Sequence, residues 1–119
     1  MKENPVREKS FTFALRVVKL AKHLENTKRE YVLSRQVLRS GTAVGALVRE
    51  AEHAESKADF IHKMNIALKE ANETLYWLEL LHKSDYIVQQ SFHSISSDNE
   101  ELIRLLTAIV KTSKIAKRS

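Results

Sequence analysis

SKADFIHKMNIALKEANETLYWLELLHKS, residues 56–84, is the stretch that decides the fold. Ile61, Met64, Leu68, Ala71, Leu75, Leu78 and His82 recur at alternating spacings of three and four, the row of one helix face. Phe60, Ala67 and Leu81 widen that row. Tyr76, Trp77 and Leu80 lie outside it, so the C-terminal half is apolar on nearly every side. A helix of that kind is normally covered all round. The spacing predicts a helix over 57–84; Ser56-Lys57-Ala58-Asp59 resembles a capping box with Asp in the place of the usual Glu, although the stretch Ala54-Glu55-Ser56-Lys57-Ala58 could also stay helical. The helix is either the innermost one, or Tyr76, Trp77 and Leu80 form part of an oligomer interface.

Three further helices flank it. Phe13, Val17, Leu20 and Leu24 form an apolar row over about 10–24, with Phe11, Ala14, Val18 and Ala21 beside it. A polar loop, Glu25 to Glu30, separates this from a second helix over about 31–55, carried by Leu33, Val37, Val44, Leu47, Val48, Ala51 and Ala54. Residues 85–96 are expected to be an irregular connection with one short turn around 89–93. Ser97-Asp98-Asn99-Glu100 then has the composition of an N-terminal cap for a fourth helix over about 97–115. Its core row is Leu102, Leu105, Leu106, Ile109, Ser113 and Ala116, and Lys111, Lys114, Lys117 and Arg118 gather at its end, where the helix dipole favours cations. Short loops between the first three helices imply an all-α, antiparallel up-down-up-down four-helix bundle, one domain over residues 1–119.

The middle of the second helix, Gly41-Thr42-Ala43-Val44-Gly45-Ala46, is built almost wholly of small residues. Glycine inside a helix costs about 1 kcal/mol against alanine, so Gly41 and Gly45 are expected to permit close packing of a neighbouring helix backbone. A phosphate-binding loop would need a preceding strand and a following Lys-Ser/Thr, and neither is present. The charged flanks Arg39 and Arg49-Glu50 argue against a membrane GxxxG pair.

Composition agrees with the helical assignment. The chain of 119 residues has two glycines and one proline, too few for the turns of a β-rich fold, and no cysteine, which removes disulfides and thiolate metal sites. No apolar run approaches the roughly 20 residues that span a bilayer. Residues 1–10 are charged and are not followed by a secretory h-region, so a cytoplasmic location is expected.

The residues that bear chemistry form no recognisable centre. Glu50–His53 and Glu79–His82 are two E-x-x-H pairs, a pattern that di-iron bundles use. A hairpin near Ser56 would separate them by roughly 25 Å along the bundle axis at about 1.5 Å per residue. The first helix offers no carboxylate between Ser10 and Leu24. His23, His62 and His93 lack paired metal-ligand spacing, His82 falls in the apolar row, and no serine sits in a nucleophile motif. The expectation is therefore no catalytic residue, no metal, no cofactor and no small-molecule substrate.

Charge is distributed in blocks. Residues 1–49 hold eleven Lys/Arg against four Asp/Glu, residues 50–101 four against eleven, and residues 102–119 five against none. Such blocks serve either a nucleic-acid surface or the pairing of unlike faces between subunits. Arg16, Lys19 and His23 share one face of the first helix, with Lys22 nearby, and Arg35 and Arg39 are one turn apart on the second. These could merge into one patch at one end of the bundle, with Lys111 and Lys114 at the other. A solvated face is the plain alternative. Phosphate contact needs only such a cluster, whereas base-specific reading needs groove-entering or stacking elements.

The run Gln36 to Ala46, followed by Arg49-Glu50-Ala51, resembles the centre of the four-helix-bundle proteins encoded in 23S rRNA intervening sequences. Ala54 to Phe60 running into Ala67 to Thr74 resembles them too, as does Phe13 to Leu20, and the likeness extends over residues 10–115. Leu47 stands where members often have Asn, and Glu50-Ala51 where many have Glu-Gly. The family is similar to the accessory subunit of diversity-generating retroelements, a pentameric bundle that interacts with nucleic acid and a reverse transcriptase. The resemblance implies a small basic bacterial bundle forming a homopentamer. Together with the charge pattern it gives two expectations: RNA or DNA binding through Arg16, Lys19, Lys22, Arg35, Arg39, Lys111 and Lys114, or a protein assembly module with no nucleic-acid ligand.

Overall fold

The computed structural model describes residues 4–118, and side chains as far as Ala116; the side chains of Lys117 and Arg118 lie outside the described residues. Four helices follow one another: α1 Pro5–Asn26, α2 Val32–Ala51, α3 Lys57–Lys83 and α4 Gln89–Arg118. α1 packs on α2 and α4, and α3 packs on the same two, while the backbones of the diagonal pairs do not approach. The helices thus form a ring of four, antiparallel between neighbours, in a body of 51 × 27 × 21 Å. Phe13, Val17 and Leu24, Val37, Val44 and Val48, Leu78 and Leu81, and Leu102 and Leu106 fill its axis almost without exposure.

Local chemistry explains where each helix begins. α1 starts five residues before the Ser10 that its apolar row suggests, because Asn4 accepts a hydrogen bond from the Arg7 amide at 3.2 Å and Pro5 occupies the first turn. Proline costs nothing there, since its missing N–H would have had no partner. The added turn buries Val6. α2 ends at Ala51 rather than Glu55, because residues 52–55 must turn before Ser56 can cap α3. Ser56 Oγ accepts from the Asp59 amide at 3.0 Å, and the Asp59 carboxylate accepts from the Glu55 amide at 3.2 Å.

α4 departs most from expectation. It begins at Gln89, so most of the segment expected to be irregular is helix, and Ser97 to Glu100 lie inside the helix rather than capping it. Ser96 and Asn99 are buried, and Asn99 Nδ2 donates to the Ala71 carbonyl on α3 at 3.1 Å. Asp98 meets Arg16 of α1. Asp98 and Asn99, which would favour a cap in isolation, are spent on neighbouring helices instead, and tertiary contact overrides their local preference.

Candidate nucleic-acid interface

The seam between α1 and α4 is the least extensive of the four helix contacts. Polar side chains bridge it. Lys9 Nζ lies 3.0 Å from the Glu101 carboxylate. Arg16 donates to Asp98 at 2.6 Å, to the Ser94 carbonyl at 3.2 Å and to Ser94 Oγ at 2.9 Å. Beyond Arg16 the walls part into a cleft of about 580 Å³, with Lys19 and His23 of α1 and Lys28 of the first loop on one side. Tyr86, Ile87 and Val88, from the connection between α3 and α4, form the other side together with Asp85 and Ser91. Leu20 contributes to the floor, and the cleft runs on past Ile95 toward Arg16.

The expected basic set does not form one patch. Arg39 turns toward α3, where it pairs with Glu70 at 3.2 Å and with Glu73. The hydrogen bonds that Arg39 donates to these two carboxylates push its guanidinium pKa above the ordinary value. The α2–α3 and α1–α4 seams are opposite sides of the ring, so Arg39 is parted from Arg16 and Lys19 by the width of the bundle. Arg16 and Arg39 both spend their charge inside the subunit. Lys22 and Arg35 are exposed, as are Lys111 and Lys114 at the far end of α4. His23 and Lys28 join Lys19 at the cleft; Lys28 lies in a polar loop that hydrophobic periodicity leaves unassigned.

The residues expected at a subunit contact divide in a similar way. Tyr76 is exposed, with its ring edge-on to Trp77 at 4.9 Å, whereas Trp77 and Leu80 are half-buried. The Trp77 indole donates to the Glu73 carboxylate at 2.9 Å within the same helix. A second exposed apolar strip, Phe11 and Leu15, lies on α1, and Arg49 of α2 sits over the Phe11 ring at 5.0 Å. Phe11 is legible in the sequence only as a flank of the apolar row.

Gly41 and Gly45 are buried in α2 and face α1. A Cβ on Gly45 would stand 3.3 Å from the Ser10 carbonyl oxygen, a contact with backbone. A Cβ on Gly41 would stand 2.8 Å from both methyl groups of Val17, so there the close neighbour is a side chain. Glu50 pairs with Lys63 at 3.1 Å, which raises the Lys63 pKa, while His82 stacks on Phe92 with centroids 4.5 Å apart. Among the described residues no group of three or more His, Cys, Asp or Glu is placed to hold a metal ion, and no helix is long and apolar enough to cross a membrane.

Comparison with known proteins adds two findings. The family described as 23S rRNA-intervening sequence protein matches residues 2–108. A crystal structure of a protein of unknown function from the S23 ribosomal protein family of Bacteroides thetaiotaomicron VPI-5482 is similar, at 56% sequence identity and a TM-score of 0.88. That match covers 89% of this chain and 98% of the other. No protein of curated function matches the chain.

Proposed function

The chain belongs to the 23S rRNA-intervening sequence protein family, and from that premise we propose that it is a non-catalytic, homo-oligomeric bundle of the cytoplasm that binds RNA or DNA through basic surface residues. The observation that carries this reading is the cleft edge where Lys19, His23 and Lys28 gather, in a chain whose first 49 residues hold eleven Lys/Arg against four Asp/Glu. Lys22 and Arg35 add exposed charge at the same end of the ring, and Lys111 and Lys114 supply a second cluster at the other. Arg16 and Arg39, held by carboxylates of their own subunit, contribute less. Each cluster alone makes few phosphate contacts. A homo-oligomer, proposed as a pentamer, would present several together, so that weak contacts add into useful affinity.

The test is electrophoretic mobility with structured RNA and with DNA over a salt series, on a sample of measured oligomeric mass. A shift at low salt that weakens steeply with added salt is the expected result, and Lys19→Ala with Arg35→Ala should lower both affinity and salt slope. No shift at about 50 mM salt overturns the proposal.

A second reading, an assembly module whose ligand is protein, is favoured by one observation: Tyr76, Phe11 and Leu15 are about half exposed, more than a bundle core requires. Aromatic residues of this kind are common anchors of subunit contacts. Under that reading Tyr76→Asp lowers the oligomer mass in light scattering, and salt alters assembly with no nucleic-acid shift.

A further inference from the structure

The cleft between α1 and α4 has a composition that phosphate contact alone does not require. Cations on an outer helix face suffice for a duplex backbone. Here Lys19, His23 and Lys28 instead edge a recess with an apolar floor, where Ile87 and Ile95 are buried and Leu20 and Tyr86 half-buried, and with Val88 exposed at its lip. A volume of about 580 Å³ falls among pockets that take small ligands, roughly 300–1,000 Å³. Asp85 stands in the same wall, at a left-handed turn with φ 66°. Its carboxylate repels phosphate and can accept hydrogen bonds from a hydroxyl or an amino group.

Building on the nucleic-acid reading above, we infer that this cleft takes one unpaired nucleotide of single-stranded RNA. The phosphate lies against Lys19 and His23, the base face lies on the apolar floor beside Tyr86, and the 2′-hydroxyl or a base amino group donates to Asp85. Each part of the cleft then has a matching part of the ligand. A duplex fits poorly, because its bases are stacked and paired and cannot reach the floor, and DNA lacks the 2′-hydroxyl. Stacking and burial of one base contribute enough to raise affinity roughly tenfold over phosphate contact alone.

Fluorescence anisotropy on the full chain tests this with three labelled probes: a short unstructured oligouridine, the same strand annealed to oligoadenosine, and its deoxy counterpart. The single RNA strand should bind about tenfold more tightly than the duplex in one buffer, with the deoxy strand, which keeps the base but lacks the 2′-hydroxyl, between the two. Val88 is 68% exposed, so Val88→Glu should leave the fold intact while abolishing that preference. Asp85→Asn, which tolerates the left-handed turn, should narrow the gap between RNA and DNA. Equal binding of strand and duplex, or an unchanged preference in Val88→Glu, overturns the cleft assignment and leaves the general nucleic-acid reading standing. Failure of all three probes to bind removes both.

Discussion

Asn99, in the first half of α4, donates from Nδ2 to the main-chain carbonyl of Ala71 on α3 at 3.1 Å, and neither residue has any exposed surface. Its Oδ1 is buried with no partner among the described residues. One made and one missing hydrogen bond nearly offset each other, so Asn99→Leu, which removes both, should alter stability by no more than about 1 kcal/mol. Asn99→Asp should cost about 3–5 kcal/mol at neutral pH, because it leaves an unpaired charge in the core. Burial raises the pKa of such a carboxyl, so the loss should grow as pH rises above the ordinary carboxylate value near 4. Urea unfolding of both variants at acid and neutral pH checks this; an Asp variant equally stable at both would mean that water reaches the site.

The same residue shows what the sequence hides. Ser97-Asp98-Asn99-Glu100 has the composition of a helix start, and nothing local reveals that Asn99 faces α3 and Asp98 faces α1. The true start at Gln89 carries no acidic residue in its first turn, so the usual signal is missing. At α1 the signal existed in Asn4-Pro5, but it stands apart from the apolar row that set the boundary. Helix identity and the ring of four were legible because apolar periodicity is local and repeated. The candidate site was legible only in part. Lys19 can be placed on a face from spacing alone, but the partners of Arg16 and Arg39 lie 82 and 34 residues away. The cleft floor depends on where the Tyr86–Val88 connection settles.

The two glycines should respond differently to substitution. Gly41→Ala would gain about 1 kcal/mol of helix propensity, but its methyl would meet both Val17 methyls at 2.8 Å. Val17 is fully buried and β-branched, so it cannot swing aside. We expect a net loss of about 1–3 kcal/mol; Val17→Ala has a cavity cost of its own but relieves the clash, so the double variant should lose less than the sum of the two single changes. Gly45→Ala needs a shift of only a few tenths of an ångström from Ser10 and should be close to neutral, whereas Gly45→Leu should lose about 1–3 kcal/mol. Thermal unfolding of the parent, Gly41→Ala, Val17→Ala and the double variant gives the coupling directly, and independent effects at 17 and 41 would contradict the contact.

Trp77 is the sole tryptophan, and its indole donates to Glu73. That hydrogen bond, helped by Arg39, holds the Glu73 carboxyl below its ordinary 4.5 despite some opposing desolvation. A carboxyl with a depressed folded pKa contributes stability above its unfolded value and loses it as pH falls through the folded one. Tryptophan fluorescence should therefore change with a midpoint below the ordinary carboxylate value. Glu73→Gln should remove the transition. A midpoint at or above the ordinary carboxylate value would show that the indole bond does not form in solution.

Arg16 and Lys19, one turn apart at the same seam, should separate stability from binding. Arg16 is fixed by Asp98 and by two groups of Ser94 across the thinnest helix contact, with a side chain 35% exposed. Solvent screening at that exposure limits the pair, so Arg16→Met should destabilise the bundle by about 0.5–1 kcal/mol and leave nucleic-acid affinity nearly unchanged. Lys19 is exposed at the cleft edge. Lys19→Met should leave unfolding unchanged, weaken binding, and reduce the salt slope by about 0.7 per site for a single strand. Urea unfolding and anisotropy over a salt series on both variants give the four numbers. If Arg16→Met costs the greater affinity, its ion pair opens on binding and the cation belongs to the interface after all. If neither variant alters affinity, the basic cleft is not where the nucleic acid sits.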